Sequence, residues 1–344
     1  MRRTTITAAA AGLTLLLSAC STGSTDNAED EAAPVEPSTS VDADAFPVTV
    51  EHAFGETEIE AEPTRVVTMG WSDHDVVLSL GVVPVGATEI SWGGNDQGST
   101  PWFDDALAEL DGEQPARLSD VDGAPVDEIA GLEPDLILAT GSGITEAEYK
   151  KLSKVADVVA YPDAPWATSW QDSLEMVGAA LGRTALADEV RADTEASIAE
   201  AAEAHPEVVG KSFVFASLTT TDMSKIDYYT PEDNRPRLLT DLGMVNAPVI
   251  EKISEKGAFY GTLSAERAAD LESDVFITYA ESDQDLATFT KDPLLGQIPG
   301  LKSGHVLAST DQTDALGLSA PSPLSIPYAM EKFVPLVAEA VQGS

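Results

Sequence analysis

Basic residues are scarce in this chain: 19 Lys plus Arg face 59 Asp plus Glu over 344 residues, a formal net charge of −40. A surface this poor in cations cannot neutralise a phosphate backbone, which excludes nucleic acid as a partner. Cysteine is almost missing, and its single copy rules out an internal disulfide and any cysteine-built zinc cluster. The four histidines, His52, His74, His205 and His305, are scattered, with no HExxH or other paired ligand spacing that would hold a metal. No apolar run reaches the roughly 18 residues that a membrane-spanning helix requires. What is present is the composition of a folded chain, 43 % hydrophobic with 25 Gly and 21 Pro. The length suits two domains, or one large α/β unit, with ample core.

The first 20 residues read as a targeting segment rather than as structure. Arg2 and Arg3 form a positive start, and residues 8–17 make an apolar stretch too short to span a bilayer. Leu17-Ser18-Ala19-Cys20 closes it and resembles a bacterial lipoprotein lipobox, whose cysteine becomes the diacylated first residue of the mature chain. An ordinary secretory signal is the alternative, but the only thiol of the chain falls where lipidation needs one. The expectation is a protein held on the outer face of the cell membrane by lipid on Cys20 alone. Residues 21–46 carry seven acids and no Lys or Arg, so they read as a flexible acidic tether.

From residue 47 onward short apolar runs alternate with helical patterns, which argues for α/β layers. Residues 65–69 read as a strand; Ser72 looks like an N-cap, opening a helix that stops at Gly81 before a second strand at 82–85. A short helix at 126–132, an apolar strand at 135–139, a helix opened by the Thr145/Glu148 capping box and a strand at 158–160 complete a first lobe, 47–168. Residues 169–208 break the alternation. Leu174, Val177, Leu181, Leu186, Val190 and Ile198 recur there at helical spacing, with Gly182-Arg183 as an interruption. Strands at 213–216, 275–278 and 305–308 and helices at 237–242, 264–271 and 326–341 then make a second lobe, 209–344. The expected architecture is two α/β lobes joined by a single long α-helix, with a ligand cleft between the lobes.

Signals for catalysis are weak. Gly70-Trp71-Ser72-Asp73-His74 sits on a strand-to-helix turn as a nucleophile elbow would, yet it lacks the second glycine, and capping already accounts for Ser72. Gly141-Ser142-Gly143 lacks the third glycine and the acidic partner of a dinucleotide site, which leaves a tight turn at the carboxyl end of a strand. Asp73-His74-Asp75 reads as a solvated helix start rather than a metal site. The tryptophans say more. Trp71, Trp92, Trp102, Trp166 and Trp170 all fall within residues 71–170, mostly in loops at strand ends, where they would line an interlobe cleft.

Several segments line up with one family. Glu62-Pro63-Thr64-Arg65-Val66-Val67, then Leu80-Gly81-Val82-Val83-Pro84-Val85-Gly86, resembles the opening of periplasmic-type binding proteins for ferric siderophores, the class with a helical backbone between its lobes. Ile129-Ala130-Gly131-Leu132-Glu133-Pro134-Asp135-Leu136-Ile137-Leu138 and Leu239-Thr240-Asp241-Leu242-Gly243 are similar to two further segments of that family. The resemblance implies a monomeric binding protein, not an enzyme, that delivers a ferric siderophore to an ABC permease dimer. It implies no cofactor, since ferric iron would enter only inside the bound siderophore. Docking on the permease is expected through Asp127, with Glu128 beside it, and through Glu266 on the second lobe. The ligand would meet Trp71, Trp92, Trp102 and Trp166 from the first lobe and Arg235, Tyr229, Tyr260 and Tyr279 from the second. Haem or cobalamin is the alternative ligand within the same fold, and a serine esterase using Ser72 is the alternative outside it. Without the signal and tether, 17 basic residues face 52 acids, a net charge of −35. Such a field favours neutral or cationic complexes, such as ferric hydroxamates, over anionic catecholates.

Overall fold

The computed structural model describes residues 37–343, so Cys20 and most of the stretch read as a tether lie outside the described residues. The alternating patterns resolve into two large sheets, each flanked by helices, and a separate antiparallel hairpin, Val48–His52 with Gly55–Ile59, opens the first lobe. In the first lobe five strands, all parallel, stand in the order Ala116–Leu118, Gly86–Thr88, Val66–Thr68, Leu136–Ala139, Asp157–Ala160. Leu136–Ala139 is buried along its whole length, which is why a continuous apolar run marks it in the sequence. The strand expected at 82–85 begins later, at Gly86. Pro84 has no N–H to give a ladder, and the first rung is Val85 N–H to the Val66 carbonyl at 2.9 Å. From the central strand Val66–Thr68 the chain winds to one side of the sheet and later returns to the other. The crevice where α/β sheets bind ligands therefore opens between residues 70–73 and 140–143.

The second sheet runs Tyr260–Ser264, Lys225–Tyr229, Ser212–Ser217, Val275–Tyr279, Val306–Ser309, with Val245–Asn246 added against Ser212–Phe213. Lys225–Tyr229 is antiparallel to both of its neighbours, and the other principal pairs are parallel. The helix expected at 264–271 is a 3-10 helix, Ala265–Asp270.

Between the sheets the single helix expected over 169–208 is two, Trp170–Ala180 and Thr184–Ala204. The second has 21 residues, about 31 Å at 1.5 Å per residue. The break has a physical cause at Gly182, which takes a φ of +67°, and where a Cβ would come within 2.7 Å of the Phe46 ring. Next to it Arg183 is fully buried. Its Nη1 donates to the Leu181 carbonyl at 2.6 Å, its Nη2 to Glu62 at 2.8 Å and its Nε to the Thr39 hydroxyl at 2.9 Å. Thr39 belongs to the stretch read as a tether, so that reading is corrected for residues 38–46. Ser38 N–H donates to the Gly81 carbonyl at 3.0 Å, Asp42 N–H to the Gly182 carbonyl at 2.7 Å, and Asp42 Oδ2 accepts from Ala185 N–H at 3.0 Å. A polar segment docks here because two helix ends leave backbone groups without helical partners, and the strap supplies them.

One apolar cluster runs through both lobes and the connecting helices, from Val77 and Leu136 through Leu174 and Val177 to Phe213, Leu239, Ile326 and Phe333. A second cluster sets Leu316 and Ala320 of the second lobe against Leu78, Trp102 and Phe103 of the first. The closing helix expected at 326–341 is interrupted at Phe333, giving Ser325–Lys332 and Val334–Gln342, because Pro335 has no N–H to offer the preceding turn. Pulling the lobes apart would expose this shared core to water, so the fold resists wide opening.

Candidate functional site

Most segments facing the interlobe cleft leave the carboxyl end of a parallel strand; the exceptions are the one that follows the antiparallel strand Lys225–Tyr229, Phe259 before Tyr260–Ser264, and residues 319–321 at the end of a helix. The larger compartment, about 450 Å³, is walled by Trp71 and Trp92 on one side and by Thr219, Tyr229, Arg235, Tyr279 and Gln312 on the other. A smaller compartment of about 270 Å³ lies between Trp71, Trp166 and Gly141 of the first lobe and Asn234, Arg235 and Phe259 of the second. Trp71 and Arg235 line both, so they stand where the compartments meet.

Arg235 is held from three directions. Asp233 N-caps the helix Asn234–Asp241 and also takes Arg235 Nη1 at 2.7 Å. Tyr279 accepts from Nε at 3.0 Å, and the Tyr229 ring lies 3.9 Å beneath the guanidinium carbon. Behind Tyr279 the relay continues, with Ser319 Oγ 2.6 Å from the phenol oxygen and itself donating to the Ala315 carbonyl at 2.6 Å. Burial works against the charge on Arg235, but Tyr279, Asp233 and Tyr229 outweigh it and raise the pKa, so the group stays ionised. Burial pushes Tyr229 up to about 12 and raises Tyr279 as well, so both remain neutral phenols. Among the described residues Arg235 Nη2 has no hydrogen-bond acceptor, which leaves a preoriented cationic donor for a ligand oxygen.

The first-lobe wall is aromatic and open. Trp71 and Trp166 are 38 % and 41 % exposed and meet edge to face with ring centroids 6.1 Å apart. Trp166 adopts a φ of +63°, unusual for a bulky residue, and its N–H donates to the Ser142 carbonyl at 3.0 Å. Its indole lies on Gly143, where a Cβ would come within 2.1 Å of Nε1. The turn Gly141-Ser142-Gly143 is thus a seat for an aromatic ring. Trp92 reaches across the cleft to Tyr279, centroids 5.5 Å apart. Asp73 fastens this wall: its carboxylate accepts from Thr140 Oγ1, from Thr140 N–H at 3.0 Å and from Gly141 N–H at 3.0 Å.

Of the expected ligand contacts, Trp71, Trp92, Trp166, Arg235, Tyr229 and Tyr279 line the cleft. Two do not. Trp102 is 7 % exposed inside the helix Pro101–Glu109 and donates Nε1–H to Asp75 at 2.8 Å, so it belongs to the lobe seam. Tyr260 sits on the edge strand opposite Tyr229, 54 % exposed and outside both compartments. Thr219, Gln312, Asn234 and Phe259 also line the cleft without having been expected there; the first three could have been signalled by their position past strand ends, whereas Phe259 precedes the strand Tyr260–Ser264 and carried no such signal. Asp127 and Glu128 are exposed in the first turn of the helix Val126–Gly131, and Glu266 is exposed in the first turn of Ala265–Asp270.

Ser72 lines the smaller compartment, but its side chain makes no cap bond, which corrects the capping role expected of it. No hydrogen bond joins it to a histidine among the described residues. His74 is fully buried, and burial, then Arg117, lowers its pKa to about 3, leaving a neutral ring too weak to serve as a general base. Asp73, His74 and Asp75 are all buried, so the solvated helix start expected there is also corrected. None of the four histidines lines the cleft. Among the described residues no three of His, Cys, Asp and Glu are grouped to hold a metal ion, and no helix is long and apolar enough to cross a membrane.

Residues 66–313 match the family described as periplasmic binding protein. The chain is 28 % identical over 287 residues to a Bacillus subtilis protein named "Probable siderophore-binding lipoprotein YfiY", with 79 % of this chain and 83 % of that one covered. Among solved structures it is similar to PiaA, an iron-uptake ABC transporter substrate-binding protein of Streptococcus pneumoniae. Against the PiaA complex with ferrichrome the identity is 39 % and the TM-score 0.81, covering 86 % of this chain and 99 % of that chain. A periplasmic solute-binding protein of Mycobacterium smegmatis is 31 % identical with a TM-score of 0.71, covering 86 % and 98 %.

Proposed function

This chain belongs to the periplasmic binding protein family, and we propose that it captures a ferric siderophore of the hydroxamate type and passes it to an ABC permease. The observation that carries this reading is Arg235, an ionised donor fixed at the junction of two compartments and ringed by Tyr229, Tyr279, Trp71 and Trp92. A siderophore that fills the iron's own coordination shell offers a protein only its periphery, a mixture of apolar surface and electron-rich oxygens. Aromatic faces suit the first, and the free guanidinium edge suits the second. The metal then needs no protein ligand, and iron is cargo rather than a resident group. Similarity to PiaA, solved with ferrichrome, supports the same class.

Haem is less well served. No histidine faces the cleft, and a tyrosinate ligand would have to come from Tyr229 or Tyr279, both held protonated by burial. Catalysis has no support at Ser72, which lacks a base. On this proposal Cys20 carries the lipid that holds the protein on the outer face of the membrane, as the lipoprotein name of the Bacillus subtilis relative suggests. Asp127, Glu128 and Glu266, exposed on opposite lobes, would meet permease arginines.

Tryptophan fluorescence tests the reading directly, because Trp71, Trp92 and Trp166 line the cleft. Ferrichrome and other ferric trihydroxamates should quench at micromolar concentration. Absence of quenching by every one of them, or a Soret band with haem at equal concentration, would overturn it.

A further inference from the structure

The larger compartment has an acidic mouth that the siderophore reading does not require. Tyr279 and Ser309 are register partners on adjacent parallel strands, and Ala280 N–H donates to the Ser309 carbonyl at 2.9 Å. The two chains therefore leave the sheet side by side, and each places an acid two residues later: Glu281 after Tyr279, Asp311 after Ser309. Asp285, in the first turn of the helix Asp283–Lys291, joins them. All three line the larger compartment and none lines the smaller one.

Two of these carboxylates are held through one oxygen each, and all three keep oxygens unspent. Asp285 accepts backbone N–H bonds from Glu281 and Ser282 on Oδ2 alone, at 2.9 and 3.2 Å. Asp311 accepts from Thr313 and Asp314 on Oδ1 alone, at 2.9 and 3.0 Å. Glu281 Oε1 and Oε2, Asp285 Oδ1 and Asp311 Oδ2 take no side-chain or capping bond among the described residues, and none of the three acids is in an ion pair there. The one cation lining the compartment, Arg235, is already matched by Asp233. The mouth thus carries uncompensated negative charge beside a cavity whose inner wall offers a donor. A ligand that is neutral at its chelate and positive at one end fits both.

Resting on the siderophore reading, we infer that this cleft selects ferric complexes carrying a protonated amine. The chelate lies against Arg235 and Trp71, and the ammonium reaches Glu281, Asp285 and Asp311. Anionic arms meet repulsion at the same place.

The test uses one linear ferric trihydroxamate with a free primary amine, its N-acetylated form, which is neutral, and its N-succinylated form, which is anionic. Affinities for the full chain are measured by tryptophan quenching at low and high salt, in the wild type and in a Glu281→Gln, Asp311→Asn double variant. Asparagine keeps the helix cap at position 311. The amine form should bind about tenfold more tightly than the acetylated form at low salt, with the anionic form weakest and the gap narrowing in salt. In the double variant the preference should fall to about twofold while affinity for the acetylated form stays put. Removing two charges barely changes the field of a chain this acidic, so collapse of the preference identifies the mouth rather than the global charge. Equal affinities in the wild type, or a preference that survives in the variant, would overturn the inference and leave the siderophore reading intact. Failure of all three forms to bind would overturn both.

Discussion

On the second-lobe side of the cleft, Arg235 is gripped at Nε by Tyr279 and at Nη1 by Asp233, and Tyr279 is itself braced through Ser319. On the first-lobe side, Trp71 and Trp166 stand more than a third exposed and rest chiefly on each other and on a glycine turn. Such a contrast separates two tasks. A hydrogen-bonded, buried wall fixes where a ligand oxygen must sit, since misplacing a desolvated donor is costly. Open aromatic faces supply contact area that tolerates variation in ligand shape.

That division would break first at Arg235. Replacing Arg235 with Lys keeps the charge but loses the planar fork and the stack on Tyr229. Affinity for ferrichrome should fall by about 30- to 100-fold, with thermal stability close to wild type, read by fluorescence titration and calorimetry. A smaller loss is expected for Tyr279→Phe, which frees Arg235 Nε and unlinks Ser319 without emptying the wall. About tenfold weaker binding, reached through the arginine's orientation, is the expected result, and in the Arg235→Lys background the same change should add little. Trp71→Ala should cost less again, about three- to tenfold, together with part of the quenching amplitude. If it cost more than Arg235→Lys, the aromatic wall rather than the polar one would hold the specificity.

The smallest effect on binding belongs behind the cleft. Asp75 accepts from Trp102 of its own lobe and from Ser322 of the other, at 2.8 and 2.7 Å. Burial pushes its pKa up to about 7, against the opposing pull of Ser322, Trp102 and Arg117. A raised folded-state pKa means that its stabilising contribution is complete below its unfolded value near 4 and is lost as pH rises through 7. Asp75→Asn keeps an acceptor and removes that dependence. The variant should gain thermal stability relative to wild type between pH 5 and pH 8, with ferrichrome affinity unchanged. A constant difference across that range would mean that Asp75 does not titrate there in the folded protein.

Much of the cleft was legible because loops at the carboxyl ends of parallel strands are identifiable from the strands themselves. Trp71, Trp166 and Tyr279 follow or end runs that only a buried strand would carry. Trp102 misled because Gly98-Ser99-Thr100-Pro101 looks like a loop, although Thr100 caps a helix whose first residue is Pro101. Tyr260 misled because a strand end on a sheet edge has no next strand to turn it inward. The strap at residues 38–46 could not be read at all, since its partners are the ends of helices 41 to 143 residues away.

Local pattern alone therefore determined the two α/β lobes, the helical character of the connection between them and the family. Those features depend on periodicity, capping and short motifs, which neighbouring residues encode together. Tertiary structure decided which aromatic rings face the cleft, how Arg235 is held, and that Glu281 and Asp311 share one rim. These depend on strand pairing and on burial between residues distant in the chain, where the free energy of a contact exists only once the sheets have formed.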